Sequence, residues 1–128
     1  MIATTIEQSR KLIELGIDVN TADMYYNVID DSFRLYDDNV KLYVNDGLNP
    51  DVDWKNVFSY DKILPAWSLS KLLELMPFPS LHNFFNNKWR CDIHYEDGDV
   101  RKFGEDADSP LDATFQMVCY LLENKMIK

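Results

Sequence analysis

Any chemistry in this chain would have to start from its two histidines, its two cysteines or its 22 carboxylates. A hydrolytic pair needs a histidine within reach of a serine or a cysteine. His94 belongs to a run, Lys88 to Tyr95, that alternates cleanly, with Trp89, Cys91, Ile93 and Tyr95 on one face and Lys88, Arg90, Asp92 and His94 on the other. Successive side chains of a strand point to opposite faces, so Cys91 and His94 cannot cooperate there. His82 falls in an Asn-rich connection, and neither histidine sets up a Ser–His or Cys–His site. Cys91 and Cys119 sit among apolar neighbours in different elements, which reads as free thiols in a reducing compartment. Asp51-Val52-Asp53 and Asp106-Ala107-Asp108 space two carboxylates as a calcium loop does, but the glycine and the distant glutamate of such a loop are missing. Most acids stand in turns, where aspartate bonds its own backbone. The four glycines, Gly16, Gly47, Gly98 and Gly104, occupy turn or cap positions, with no phosphate cradle or dinucleotide fingerprint. The expectation is a chain with no catalytic residues, no cofactor and no metal site.

What remains is a surface. The net charge is −9, and between Asp18 and Asp61 ten acids face only Arg34, Lys41 and Lys55. A phosphate-tracking face needs clustered lysines and arginines, so direct nucleic-acid binding is not expected. The same region carries Tyr36, Tyr43, Trp54 and Tyr60, with Asp37 and Asp38 beside the first of them. Acids steer a basic partner at long range and aromatic rings supply short-range contact energy. Those six residues, Tyr36, Asp37, Asp38, Tyr43, Trp54 and Tyr60, are the candidate partner contacts. The competing reading is a solvated acidic rim whose rings cap a sheet edge. Trp67 and Trp89, beside apolar helical and strand positions, read as core.

The elements that must position these residues are punctuated plainly. Thr5 with Gln8 makes a capping box and Gly16 a left-handed exit, which predicts a helix over 5–15. Runs at 24–29, 33–36 and 40–44 read as short strands of a meander, followed by a loop over 45–51. The stretch 54–60 reads as loop with a short turn. Pro65 and Pro77 bracket a short helix whose Leu69, Leu72, Leu73 and Met76 form one stripe, with Ser68 placed to cap it. This helix is expected to lie across a sheet built from the chain on either side. Pro77-Phe78-Pro79 then makes an extended link. Asp97-Gly98 joins strands at 88–95 and 100–103 as a hairpin. Ser109-Pro110 opens a last helix, striped by Leu111, Phe115, Val118 and Leu122 and flanked by Cys119 and Leu121. The order predicts a single α+β domain over 1–128, an antiparallel sheet of four to five short strands with three helices mainly on one face.

Four pieces of the chain carry a resemblance. They are Pro65-Ala66-Trp67-Ser68-Leu69-Ser70 continuing to Leu72-Leu73-Glu74-Leu75-Met76-Pro77; Ser9 to Ile17 with Thr21-Ala22-Asp23-Met24; Ser109-Pro110-Leu111-Asp112-Ala113; and Met117 to Asn124. In that order they resemble small uncharacterised proteins encoded on phages and mobile elements of gut bacteria. Tyr120 stands where that pattern has Trp, and Lys125 where it has Gly. The resemblance implies an origin and carries no activity with it.

With 46% hydrophobic and 13% aromatic residues the chain is expected to fold, and no apolar run is long enough for a membrane span. The N-terminus lacks a basic region followed by an apolar block, so a cytosolic protein is expected. The functional expectation is a non-enzymatic acidic interaction module, an accessory protein of a phage or mobile element that binds a basic host or phage protein. The alternative is a small-ligand-binding protein or a hydrolase-like enzyme using carboxylates in a pocket between sheet and helices.

Overall fold

The computed structural model describes residues 3–28, 40–44, 63–84 and 86–127, and for 28, 40, 41, 43 and 44 the backbone alone. The strand expected at 33–36, the loop at 45–51 and the stretch 54–60 lie outside the described residues. The chain divides into two compact units, Ala3–Ser68 and Leu69–Lys128. It is an α+β protein, and its described strands form two antiparallel three-stranded sheets where a single sheet of four to five strands was expected.

In the first unit, helix α1 (Ile6–Glu14) starts as its capping box dictates. Thr5 Oγ1 accepts from the Gln8 amide at 3.0 Å, and the Gln8 side chain accepts from the Thr5 amide at 3.0 Å. Gly16 leaves the helix at φ 94°, which a side chain would resist. Ile17 then folds back, its amide donating to Leu12 O at 3.1 Å. A short 3₁₀ turn (Val19–Thr21) leads to strand β1 (Met24–Val28), which pairs with β2 (Val40–Val44) and β3 (Ile63–Ala66). The order is β2-β1-β3, and α1 packs on β3.

Strand β3 was not expected, because Pro65 lacks a ladder donor and read as a helix boundary. Among the described strands β3 lies at the edge of the sheet, where a proline is tolerated. Ala3, Met24 and Ala66 are buried together, with Tyr26 and Leu42 packed against them. Trp67 is fully buried as expected, and its ring N–H donates to Thr21 Oγ1 at 3.0 Å. Ser68 is also tied to the turn before β1. Its amide donates to Asp23 Oδ1 at 2.8 Å, and its hydroxyl donates to the same carboxylate.

The second unit begins with α2 (Leu69–Glu74), in which Leu72 is buried and Ser70 and Glu74 are exposed. It packs against α3 (Pro110–Glu123). After α2 the link expected at 77–79 turns out to deliver a strand, β4 (Pro79–Asn83), through Phe78 at φ 46°. Strands β4, β5 (Trp89–His94) and β6 (Val100–Lys102) form the second sheet in that order. The Asp-Gly turn is as expected, with Gly98 at φ 97° and Tyr95 and Asp99 bonded across it. Helix α3 is capped by Ser109, which accepts from the Asp112 amide at 3.0 Å, and it buries Leu111, Met117, Val118, Leu121 and Leu122 against the unit's interior. No helix among the described residues is long and apolar enough to cross a membrane.

Candidate functional site

The chemistry-bearing side chains of the described residues gather on the β4–β5–β6 sheet. Alternation along β5 turns Cys91 and Ile93 inward, both fully buried, and α3 packs on this strand. Arg90, Asp92 and His94 take the other face. The register sets Ser80 opposite Asp92 and His82 opposite Arg90, so β4 adds a serine and a histidine to that face. His82 is therefore on a strand and not in a connection. The signal for this was the alternation of Ser80 and His82 around Leu81, too short to be read without its partner strand.

Asp92 is the anchor of the group and is 1% exposed. Its Oδ1 accepts from the Gly104 amide at 2.8 Å, and its Oδ2 accepts from Arg90 Nη2 at 3.0 Å. Arg90 Nε lies 2.9 Å from Asp92 Oδ1 as an ion-pair contact but is not aligned for a hydrogen bond. The guanidinium is also flanked by rings, with its carbon 5.0 Å from the centre of Phe84 and 5.1 Å from that of Phe103. A carboxylate so enclosed needs several partners to offset its loss of solvent.

The histidines form a directed chain. His94 Nδ1 faces the Gly98 carbonyl at 3.1 Å, so in the neutral ring that nitrogen carries the proton and Nε2 is the acceptor. Ser80 Oγ, 2.6 Å from His94 Nε2, must then be the donor in that bond. The same oxygen is left to accept from His82 Nε2 at 2.9 Å, and that nitrogen lies 3.4 Å from Asp92 Oδ2. Hydrogen bonds thus run from His82 through Ser80 to His94 and the 95–99 turn, with Asp92 in contact with His82 at the near end.

A serine donating to an imidazole that is oriented through its other nitrogen has the first two parts of a nucleophilic site. The remaining parts are arranged differently. The carboxylate meets His82 through the nitrogen that already faces Ser80, whereas a triad needs it on the far side of the base. Its charge is also taken up by Arg90 and Gly104. Ser80 sits in mid-strand with its oxygen engaged by both rings. The arrangement fastens β4 to β5 and to the hairpin turn. Among the described residues no group of three or more His, Cys, Asp or Glu is placed to hold a metal ion.

Two further features adjoin this network. Residues 95–108 form a rim on which Tyr95 is 53% and Phe103 58% exposed. Glu96, Asp97, Asp99, Glu105, Asp106 and Asp108 are exposed beside them, against Arg101 and Lys102. Both cations are drawn onto rings, Arg101 at 5.7 Å from the centre of Tyr95 and Lys102 at 4.8 Å from that of Tyr120. Asp108 pairs with Lys88, which holds the Asp108 carboxyl below its ordinary range and raises the Lys88 ammonium. The second feature is a cavity of about 330 Å³ between residues 102–105 and α3. Phe103, Phe115, Met117, Cys119 and Tyr120 give its apolar lining, and Lys102, Glu105, Gln116 and Glu123 its polar one. Cys91 lies elsewhere, buried, and burial pushes its thiol up to about 11.

Of the sequence-derived contact residues, Tyr36, Asp37, Asp38, Trp54 and Tyr60 lie outside the described residues. Tyr43 is placed in β2 in register with Tyr25. An aromatic–acidic combination is present at 95–108, around the hairpin turn. No family model, no curated protein and no solved structure matches the chain.

Proposed function

We propose that this chain is a non-enzymatic interaction module that binds a basic surface on another protein, as a cytosolic accessory protein of a phage or mobile element. The observation that carries this reading is the 95–108 rim, where exposed Tyr95 and Phe103 stand among six exposed carboxylates. Rings of this kind supply contact energy at interfaces, and surrounding charge of one sign sets partner choice and association rate. The Ser80 network supports the reading from the other side, because its geometry secures strands and leaves no triad. A small-ligand reading draws on one observation, the cavity that carries Glu105 and Glu123.

Affinity capture from a host lysate tests the proposal, with the parent chain and a Tyr95→Ser/Phe103→Ser variant as baits. Both side chains are more than half exposed, so the variant is expected to fold. A basic protein retained by the parent, eluted by salt and lost by the variant is the expected result. Identical partner sets for the two baits would remove the rim from consideration. A parallel bait carrying Asp37→Lys, Asp38→Lys and Trp54→Ala asks whether the 30–61 segment shares the contact.

A further inference from the structure

We infer that the cavity between residues 102–105 and α3 receives an arginine side chain of the partner, an inference that rests on the rim being the contact surface. Phe103 and Glu105 belong to both features, so a chain lying along the rim crosses the mouth of the cavity. The protein already supplies a cation of its own there, with the Lys102 ammonium 4.8 Å from the centre of the Tyr120 ring. That ring face is therefore oriented to attract positive charge. Phe103, Phe115 and Met117 offer an apolar wall for an aliphatic stem. Two exposed carboxylates, Glu105 and Glu123, line the opening against the one ammonium, which leaves the site net negative.

Arginine fits this set better than lysine. Its planar guanidinium stacks on an aromatic face and offers several donors to carboxylates at once, whereas lysine presents a compact, strongly hydrated charge. The same loop already makes such a pairing, with Arg90 5.1 Å from the centre of the Phe103 ring. A volume of about 330 Å³ is ample for one side chain and lies at the small end of ligand sites. Anchors that enter a pocket commonly carry most of the energy of an interface.

The test uses the full chain and three short peptides, acetyl-Gly-Arg-Gly-amide and its lysine and citrulline counterparts. Cys119 lines the cavity, while Cys91 is buried with its thiol pushed up to about 11, so alkylation at neutral pH reads the cavity. The arginine peptide is expected to halve the alkylation rate of Cys119 at about 10 mM, the weak affinity that a single side chain supports. It is also expected to shift the amide resonances of 102–105 and 115–123. The lysine peptide should act more weakly and the uncharged citrulline peptide not at all. A Glu105→Gln/Glu123→Gln variant, altered only at exposed carboxylates, should keep its circular dichroism and lose both responses. Citrulline acting as well as arginine, responses that persist in that variant, or an arginine peptide that moves neither reading would each overturn the pocket. If the pocket fails while the Tyr95→Ser/Phe103→Ser bait still loses its partner, the interaction surface stands without it.

Discussion

The two units fasten themselves by different chemistry. Among the described residues of Ala3–Ser68, one set of buried polar contacts joins neutral groups. Thr4 Oγ1 and Ser9 Oγ meet at 2.8 Å, both residues fully buried, and Thr4 Oγ1 also accepts from the Trp67 amide at 3.1 Å. Tyr26 donates its hydroxyl to the Thr4 carbonyl at 2.7 Å, and burial raises that phenol further above its ordinary value. Among the described residues Asp23 adds a charged group, holding Ser68. In Leu69–Lys128 the equivalent place is taken by a carboxylate, a guanidinium and two imidazoles around one serine. Leaving a buried neutral partner unsatisfied costs about 1–3 kcal/mol, whereas a buried charge that loses its partner costs more. The Asp92 network is therefore the more sensitive of the two to a single polar substitution.

The largest expected effect breaks that comparison at its charged end. Asp92→Ala leaves Arg90 and the Gly104 amide without their shared acceptor and should cost about 3–5 kcal/mol in denaturant unfolding. A loss below about 1 kcal/mol would mean that Arg90 is served equally well by solvent and the two rings, and that the network is ornamental. Ser9→Ala probes the neutral end and should cost about 1–3 kcal/mol, because Thr4 keeps its bond from the Trp67 amide. If Ser9→Ala were the more costly of the two, the contrast between the units would be reversed.

The smallest effect is one of pH. The Cys91 thiol is raised in the fold, so the folded chain holds its proton where the unfolded chain has released it. The stabilisation is complete below the unfolded value of about 8.5 and declines as pH rises towards the folded one. Unfolding midpoints measured from pH 8 upwards should therefore fall more steeply for the parent than for Cys91→Ala. Equal slopes would show that Cys91 titrates freely and is not enclosed.

Elements defined by local contacts were legible in the sequence. The Thr5–Gln8 box, the Asp97-Gly98 turn and the Ser109-Pro110 start are each closed within a few residues, and all three form as expected. Strands β3 and β4 were not legible, since each is short, contains or follows a proline, and is recognisable only by its partner. With them went the division into two sheets. The candidate site was lost for the same reason. Ser80, His82, Asp92 and His94 become neighbours only through the β4–β5 register, which no local pattern of residues announces. The polar phase of β5 was readable, but the burial of Asp92 was not, because it depends on Gly104 arriving from outside the strand's own alternation.

Gly104 has a consequence of another kind. A Cβ built there would stand 2.0 Å from the Cys91 carbonyl oxygen, so even one methyl group must prise the chain off β5. The same residue donates to Asp92 and lines the cavity. Its bareness acts as a mechanical link. The depth of the cavity, the satisfaction of the buried carboxylate and the seating of the segment after β6 are set together at this one position. Selection acting on either the pocket or the sheet is felt at Gly104, and neither can be retuned there without disturbing the other.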